Sequence, residues 1–171
     1  MELFTQEMYS GHGKKLVHFR KSPAMRKLFL VVCILFFGLI VNAQSKPVLN
    51  HIAIYVVDLQ KSTVFYRDLI GIDTIPEPFH DGKHTWFRIG PVSHLHVISG
   101  AKAATTHDKN VHLCFRVDNV SPFAEKLKKA GIVYEDYAGN KGAVTTRVDG
   151  VKQIWFMDPD GYWIEINDAK D

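Results

Sequence analysis

The sequence predicts an α+β domain made of two similar β-α-β-β-β units whose sheets curve around a common cleft. Three observations predict it. Short stretches alternate polar and apolar residues with the period of a strand. Two helical stretches, each opened by capping residues and closed by a glycine, follow the first strand of each half. Moving the chain by 69 places lays Trp86-Phe87 on Trp155-Phe156 and His96 on Glu165.

The elements follow in order from Lys46. Asn50 to Val57 reads as a strand with Ile52, Ile54 and Val56 on one face and His51, Ala53 and Tyr55 on the other. Asp58 opens a helix carrying Val64, Phe65, Leu69 and Ile70 on its apolar side, and Gly71 stops it. Thr85 to Ile89 and His94 to Ser99 are the further strands of this half. The second half repeats the order: a strand from His112 puts Leu113, Phe115 and Val117 on one face and His112, Cys114 and Arg116 on the other. Asp118, Asn119 and Ser121-Pro122 open a helix with Phe123, Leu127 and Ala130, ended by Gly131. Strands from Lys152 to Met157 and Tyr162 to Asn167 close the chain, joined by the Asp158-Pro159-Asp160-Gly161 turn. The expected units are 48–100 and 110–168 within a domain at 46–168.

What precedes this domain has another character. Leu28 to Val41 is an unbroken apolar run behind Met25-Arg26-Lys27, with Asn42-Ala43 after it. A membrane span needs roughly 20 apolar residues, so this shorter run reads as a secretory signal over 25–43, cut after Ala43. The expected location is therefore periplasmic or extracellular, with no stable membrane anchor after cleavage. Residues 1–24 show no hydrophobic periodicity and read as an unstructured extension or a mis-assigned start. The leader carries six of the 21 Lys and Arg and two of the 18 Asp and Glu, leaving 15 basic and 16 acidic residues and no electrostatic footprint for nucleic acid. Cys33 falls in the leader, so Cys114 alone remains and no intramolecular disulfide can form.

Strand parity also separates core from cleft. His51, His96, His112 and Glu165 each stand opposite the apolar row of their own strand, in the first or last strand of each half. Three imidazoles and one carboxylate suit a divalent ion such as Zn²⁺, Ni²⁺, Co²⁺ or Fe²⁺ better than Mg²⁺ or Ca²⁺. A single strand histidine more often faces solvent than binds metal; the matching placement of all four in a repeated unit favours the metal site. His94 shares the face of His96 and is either a supporting residue or a solvated one, while His80, His84 and His107 are assigned to loops. Tyr55, Arg88, Arg116 and Trp163 are candidate pocket residues, and Trp86 and Trp155 are assigned to the core.

The stretches "LNHIAIYVVDLQKSTVFYRDLIGI", "HLCFRVDNV" and "FMDPDGYWIEI" resemble the vicinal oxygen chelate superfamily, which includes glyoxalase I, methylmalonyl-CoA epimerase, fosfomycin-resistance enzymes, extradiol dioxygenases and bleomycin-binding proteins. The resemblance covers Asn50 to Asn167. It implies paired βαβββ units and metal ligands at His51, His96, His112 and Glu165. In glyoxalase I and the epimerase the second position is glutamate or glutamine, so His96 is a departure. The resemblance implies a lyase or isomerase that acts on a small substrate with neighbouring oxygens, with Glu165 as general base. The alternatives are Fe²⁺ extradiol cleavage and non-catalytic binding of a small molecule or antibiotic. The site forms either within one chain or across a homodimer.

Overall fold

The computed structural model describes residues 22–24, 27 and 46–170. The segments read as extension and export signal, 1–24 and 25–43, lie almost wholly outside them. Among the described residues no helix is long and apolar enough to cross a membrane. The account below concerns the unit that begins at Val48.

Each half folds as its alternation dictates. β1 (His51–Val56), β2 (Thr74–Ile75), β3 (His84–Arg88) and β4 (His94–Ser99) form one sheet in the order β1-β4-β3-β2. β5 (His112–Arg116), β6 (Thr145–Thr146), β7 (Lys152–Met157) and β8 (Trp163–Asn167) form the second, in the order β5-β8-β7-β6. Both sheets are mixed: β1 runs parallel to β4, β5 runs parallel to β8, and the remaining pairs are antiparallel. The expected α+β fold of paired units is therefore present, as two four-stranded sheets. The two-residue strands β2 and β6 are too short to show alternation in a sequence.

The helices begin where their caps predict. Asp58 accepts a hydrogen bond from Lys61 N at 3.0 Å and starts α1 (Leu59–Val64), which widens into a π-helical stretch over Phe65–Ile70. Gly71 ends it at φ 89°, a conformation costly for any side chain. The buried stripe is Ser62, Phe65, Tyr66 and Leu69, whereas Val64, expected to face inward, is 38% exposed. Apolar periodicity finds Phe65 and Leu69 and misses Ser62 and Tyr66, the two members that carry hydroxyl groups. Asn119 caps α2 (Val120–Lys129) by accepting from Ser121 N at 2.9 Å, and Val120, Ala124 and Leu127 face the core. Ala130, expected on that face, is exposed just beyond the helix end.

Both helices and the inner faces of both sheets share one core. It includes Ile54, Val56, Leu95 and Val97 from the first sheet, Ile154, Phe156, Ile164 and Ile166 from the second, and Phe65, Tyr66 and Leu127 from the helices. Tyr66 packs against Phe87 at 6.0 Å, and Phe65 against Phe156 at 6.2 Å between ring centroids, so α1 and its continuation bind one sheet to the other. A cavity of about 270 Å³ remains where Ile52 and Leu95 approach Leu113 and Phe115. With the inner faces committed to this core, the outer face of each sheet is left for chemistry.

Candidate metal centre on the outer sheet faces

Ladder register places the candidate ligands row by row. On the first sheet His51 stands beside His94, which stands beside Arg88; the next row is Ala53, His96 and Trp86. On the second sheet His112 stands beside Trp163 and then Met157, and the next row is Cys114, Glu165 and Trp155. The rows match across the 69-residue repeat, so His96 and Glu165 occupy equivalent places, as do Trp86 and Trp155. His51, His96, His112 and Glu165 all point away from the apolar rows of their strands, as parity predicts.

The four residues form two pairs. His51 and His96 stack at 4.3 Å with planes 6° apart. His112 Nε2 lies 3.3 Å from Glu165 Oε2. Among the described residues no group of three or more His, Cys, Asp or Glu is close enough to hold a metal ion. One chain thus presents two half-sets, each on its own sheet.

The donor types of each half-set suit a divalent ion, while the stacked His51 and His96 rings, whose lone pairs lie in nearly parallel planes, do not aim at a common point. His112 Nδ1 lies 2.9 Å from Lys109 O, and a carbonyl only accepts, so Nδ1 carries a proton and, whenever the ring is neutral, Nε2 keeps a bare lone pair. That lone pair faces a carboxylate oxygen, an arrangement that needs a cation or a proton to be favourable. Two ligands each about 2.1 Å from one ion can span such a separation. Glu165 is only 6% exposed, and its other oxygen accepts from Asn167 Nδ2 at 2.8 Å, which fixes the carboxylate. His51 Nδ1 is likewise 2.8 Å from Asn50 Oδ1, leaving its Nε2 open. His96 Nε2 is buried with no hydrogen-bond partner. Burial, followed by the positive charge that His51 and His94 would carry, lowers the His96 pKa and keeps its ring neutral, the form that binds metal. The Cys114 thiol beside Glu165 is pushed up to about 12, first by burial and then by the Glu165 charge, so it stays protonated near neutrality.

The surrounding residues correct three assignments. Trp86 and Trp155 do not belong to the common core. Trp86 lies flat on His96 at 3.9 Å and 3°; Trp155, 3% exposed, meets the His112 ring edge-on at 4.6 Å and 75°. Phe87 and Phe156 take the inner positions, so in each Trp-Phe pair the neighbouring tryptophan must face out. His84 is a β3 residue on the face of Trp86, 2.9 Å from Asp81 Oδ1, instead of a loop residue. Asn50 and Lys109, which orient His51 and His112, carried no sequence signal, whereas Asn167, which holds Glu165, shares its outward face by strand parity. Tyr55, Arg88, Arg116 and Trp163 fall on the outer faces as expected, and so does His94, whose ring stacks at 6.3 Å from both Trp86 and His96.

Comparison with known proteins bears on the family and the fold. The family model described as Glyoxalase/Bleomycin resistance protein/Dioxygenase superfamily matches residues 48–166. Mitochondrial methylmalonyl-CoA epimerase from Mus musculus is 33% identical over 105 residues, 52% of this chain and 59% of that protein, so the chain spans little more than half of this relative. Lactoylglutathione lyase from Salmonella typhimurium is 29% identical over 133 residues, covering 72% of this chain and 93% of the enzyme. Among solved structures, oxidase ChaP-H2 superposes with a TM-score of 0.61 at 24% identity, covering 74% of this chain and 96% of that one, which bears on the fold alone.

Proposed function

Because the chain belongs to the Glyoxalase/Bleomycin resistance protein/Dioxygenase superfamily, we propose that it is a divalent-metal-dependent lyase or isomerase acting on a small substrate with two neighbouring oxygens. The observation that carries this reading is the His112 Nε2 and Glu165 Oε2 pair, 3.3 Å apart on the outer face of the second sheet. The lyase and epimerase names of two relatives support the reaction class.

His51 and His96 from one copy of the chain, with His112 and Glu165 from a second, would hold a Zn²⁺, Ni²⁺, Co²⁺ or Fe²⁺ ion. Support for a composite site comes from the separation of the two half-sets on different sheets. Exposed apolar residues next to the ligand strands, Leu49 before β1 and Val111 before β5, give a second copy surface to cover. A bound ion supplies positive charge against the oxygen that gains electron density when the neighbouring carbon loses its proton. Glu165 takes that proton as general base. The Asn167 amide holds the carboxylate in place, and the Lys109 carbonyl holds His112 in one tautomer. A fourth protein donor at His96 leaves less room for dioxygen beside a bidentate substrate and favours isomerisation over extradiol cleavage.

Export through residues 25–43 is part of the same proposal, and an intact mass beginning at Gln44 would support it. The enzymatic reading is tested by elemental analysis of protein purified without chelator. About one divalent ion per chain is expected, lost in His112→Ala. Metal-free wild-type protein after dialysis against each of the four ions would overturn the reading.

A further inference from the structure

The Lys109 carbonyl accepts from Nδ1 of His112, and the Lys109 side chain is itself tied down on the turn that leads into β5. Its ammonium has three N–H groups, which go to Glu135 Oε1, to Asp136 O at 3.3 Å and to Tyr137 O at 3.2 Å. The same ammonium lies 4.5 Å from the centre of the Trp163 ring, the ladder neighbour of His112. The Lys109 and Glu135 side chains are only 17% and 22% exposed, so salt screens this pair less than it would an open one. The far end of the pair is rooted in the ligand sheet. Glu135 and Trp155 exchange backbone hydrogen bonds in both directions, at 2.8 and 2.9 Å, and Trp155 stands opposite Glu165. The Tyr137 hydroxyl adds a second tie by donating to Asn110 Oδ1 at 3.0 Å. Within the turn, Asn110 N donates to Asp108 Oδ1 at 2.8 Å and Val111 N to Asp108 O at 2.9 Å.

We infer that Lys109 and Glu135 are positioning residues: their ion pair fixes the turn before β5 so that the Lys109 carbonyl keeps the proton of neutral His112 on Nδ1 and its Nε2 lone pair toward Glu165. This rests on the metal-site reading above and adds to it the side chains that hold one ligand against the other. In a neutral imidazole either nitrogen can carry the proton, and the partner of one nitrogen decides the state of the other. A carbonyl on a turn free to rotate imposes that choice weakly. Here the turn is fastened through Glu135 to the strand beside the one that bears Glu165, so both ligands share one frame. A lysine that only stabilised the loop would leave the tautomer of His112 unchanged.

The test compares metal-free, ¹⁵N-histidine-labelled full-length protein with Lys109→Met and Glu135→Gln, at a pH where His112 is neutral. Lys109→Met keeps the stem beside Trp163 and removes the charge, and His112→Ala assigns the ring signals. The wild-type ring is expected to hold its proton on Nδ1 alone, while both variants show a mixture with the Nε2–H form. Zn²⁺ is then titrated into each protein, and both variants are expected to bind it roughly tenfold or more weakly than wild type. The double variant should fall no further than Lys109→Met, because the two side chains act as one unit. A wild-type proton on Nε2, or variants that keep Nδ1–H, overturns the inference and leaves the metal site standing. Zn²⁺ affinities within about twofold of wild type in both variants overturn it whatever the tautomer. Wild-type protein that binds no Zn²⁺ overturns the metal reading, and the ring signals alone then decide whether the pair positions His112. If one variant does not fold, the other decides.

Discussion

The Tyr66 hydroxyl donates a 2.8 Å hydrogen bond to Asp158 Oδ2, joining the helix of the first unit to the β7–β8 turn of the second. Asp158 also accepts from the backbone N–H groups of Asp160 and Tyr162. Asp160 completes the clasp by accepting from Val57 N at 2.7 Å and from Ser62 Oγ at 2.8 Å. Both carboxylates are buried, at 5% and 4% exposure, so these donors replace the water each charge has lost. Gly161 closes the turn at φ 89°, where an added Cβ would collide with the Thr105 carbonyl. The Asp-Pro-Asp-Gly motif, which reads in sequence as a turn, also fastens the units together.

Removing a donor from this clasp leaves a buried carboxylate short of a partner. Tyr66→Phe and Ser62→Ala are each expected to destabilise the fold by about 1–3 kcal/mol. Urea unfolding monitored by tryptophan fluorescence measures it. Losses under about 0.5 kcal/mol in both variants would show that the clasp is ornamental.

Asp158 also sets a pH dependence. Burial is the largest influence on it and raises its pKa above 3.8, so the fold prefers the protonated form. Its titration therefore contributes stability that is complete below the unfolded value and lost as pH rises through the raised folded one. Asp158→Asn carries no such dependence, and metal-free variant should gain on metal-free wild type between about pH 4 and about pH 7. Denaturant midpoints at the two pH values check this. A gap that stays constant or narrows with rising pH contradicts it.

Glu165→Gln keeps the shape of the side chain and removes the base. Wild type is expected to exchange the proton next to the carbonyl of a small hydroxyketone, with hydroxyacetone in D₂O as the probe. The variant should lose roughly 10²–10⁴ of that rate while its near-ultraviolet circular dichroism is unchanged. Exchange at the wild-type rate would remove Glu165 from the base role.

Much of this was legible in the sequence because a strand repeats every two residues. Parity alone put His51, His96, His112 and Glu165 on the outer faces, and Asp58 and Asn119 marked the helix starts. Parity failed where composition was allowed to outweigh it. Trp86 and Trp155 look like core residues by type, yet each sits one place from an inward phenylalanine. Ser62 and Tyr66 escaped an apolar count because their burial depends on acceptors about 90 or more residues away in sequence. Periodicity also assigns a face within a sheet without saying which other face it meets. That is why the expected single cleft is observed as two half-sets in one chain.

The composite site is the central claim, and mixed dimers test it most directly. His51→Ala and His112→Ala chains carrying different tags are co-expressed, and the heterodimer is isolated through both tags. Each variant alone is expected to hold almost no metal. If each site draws one half-set from each copy, the heterodimer has one site bearing both substitutions and one intact, and should hold about half the wild-type metal. A heterodimer as empty as the single variants would contradict the account.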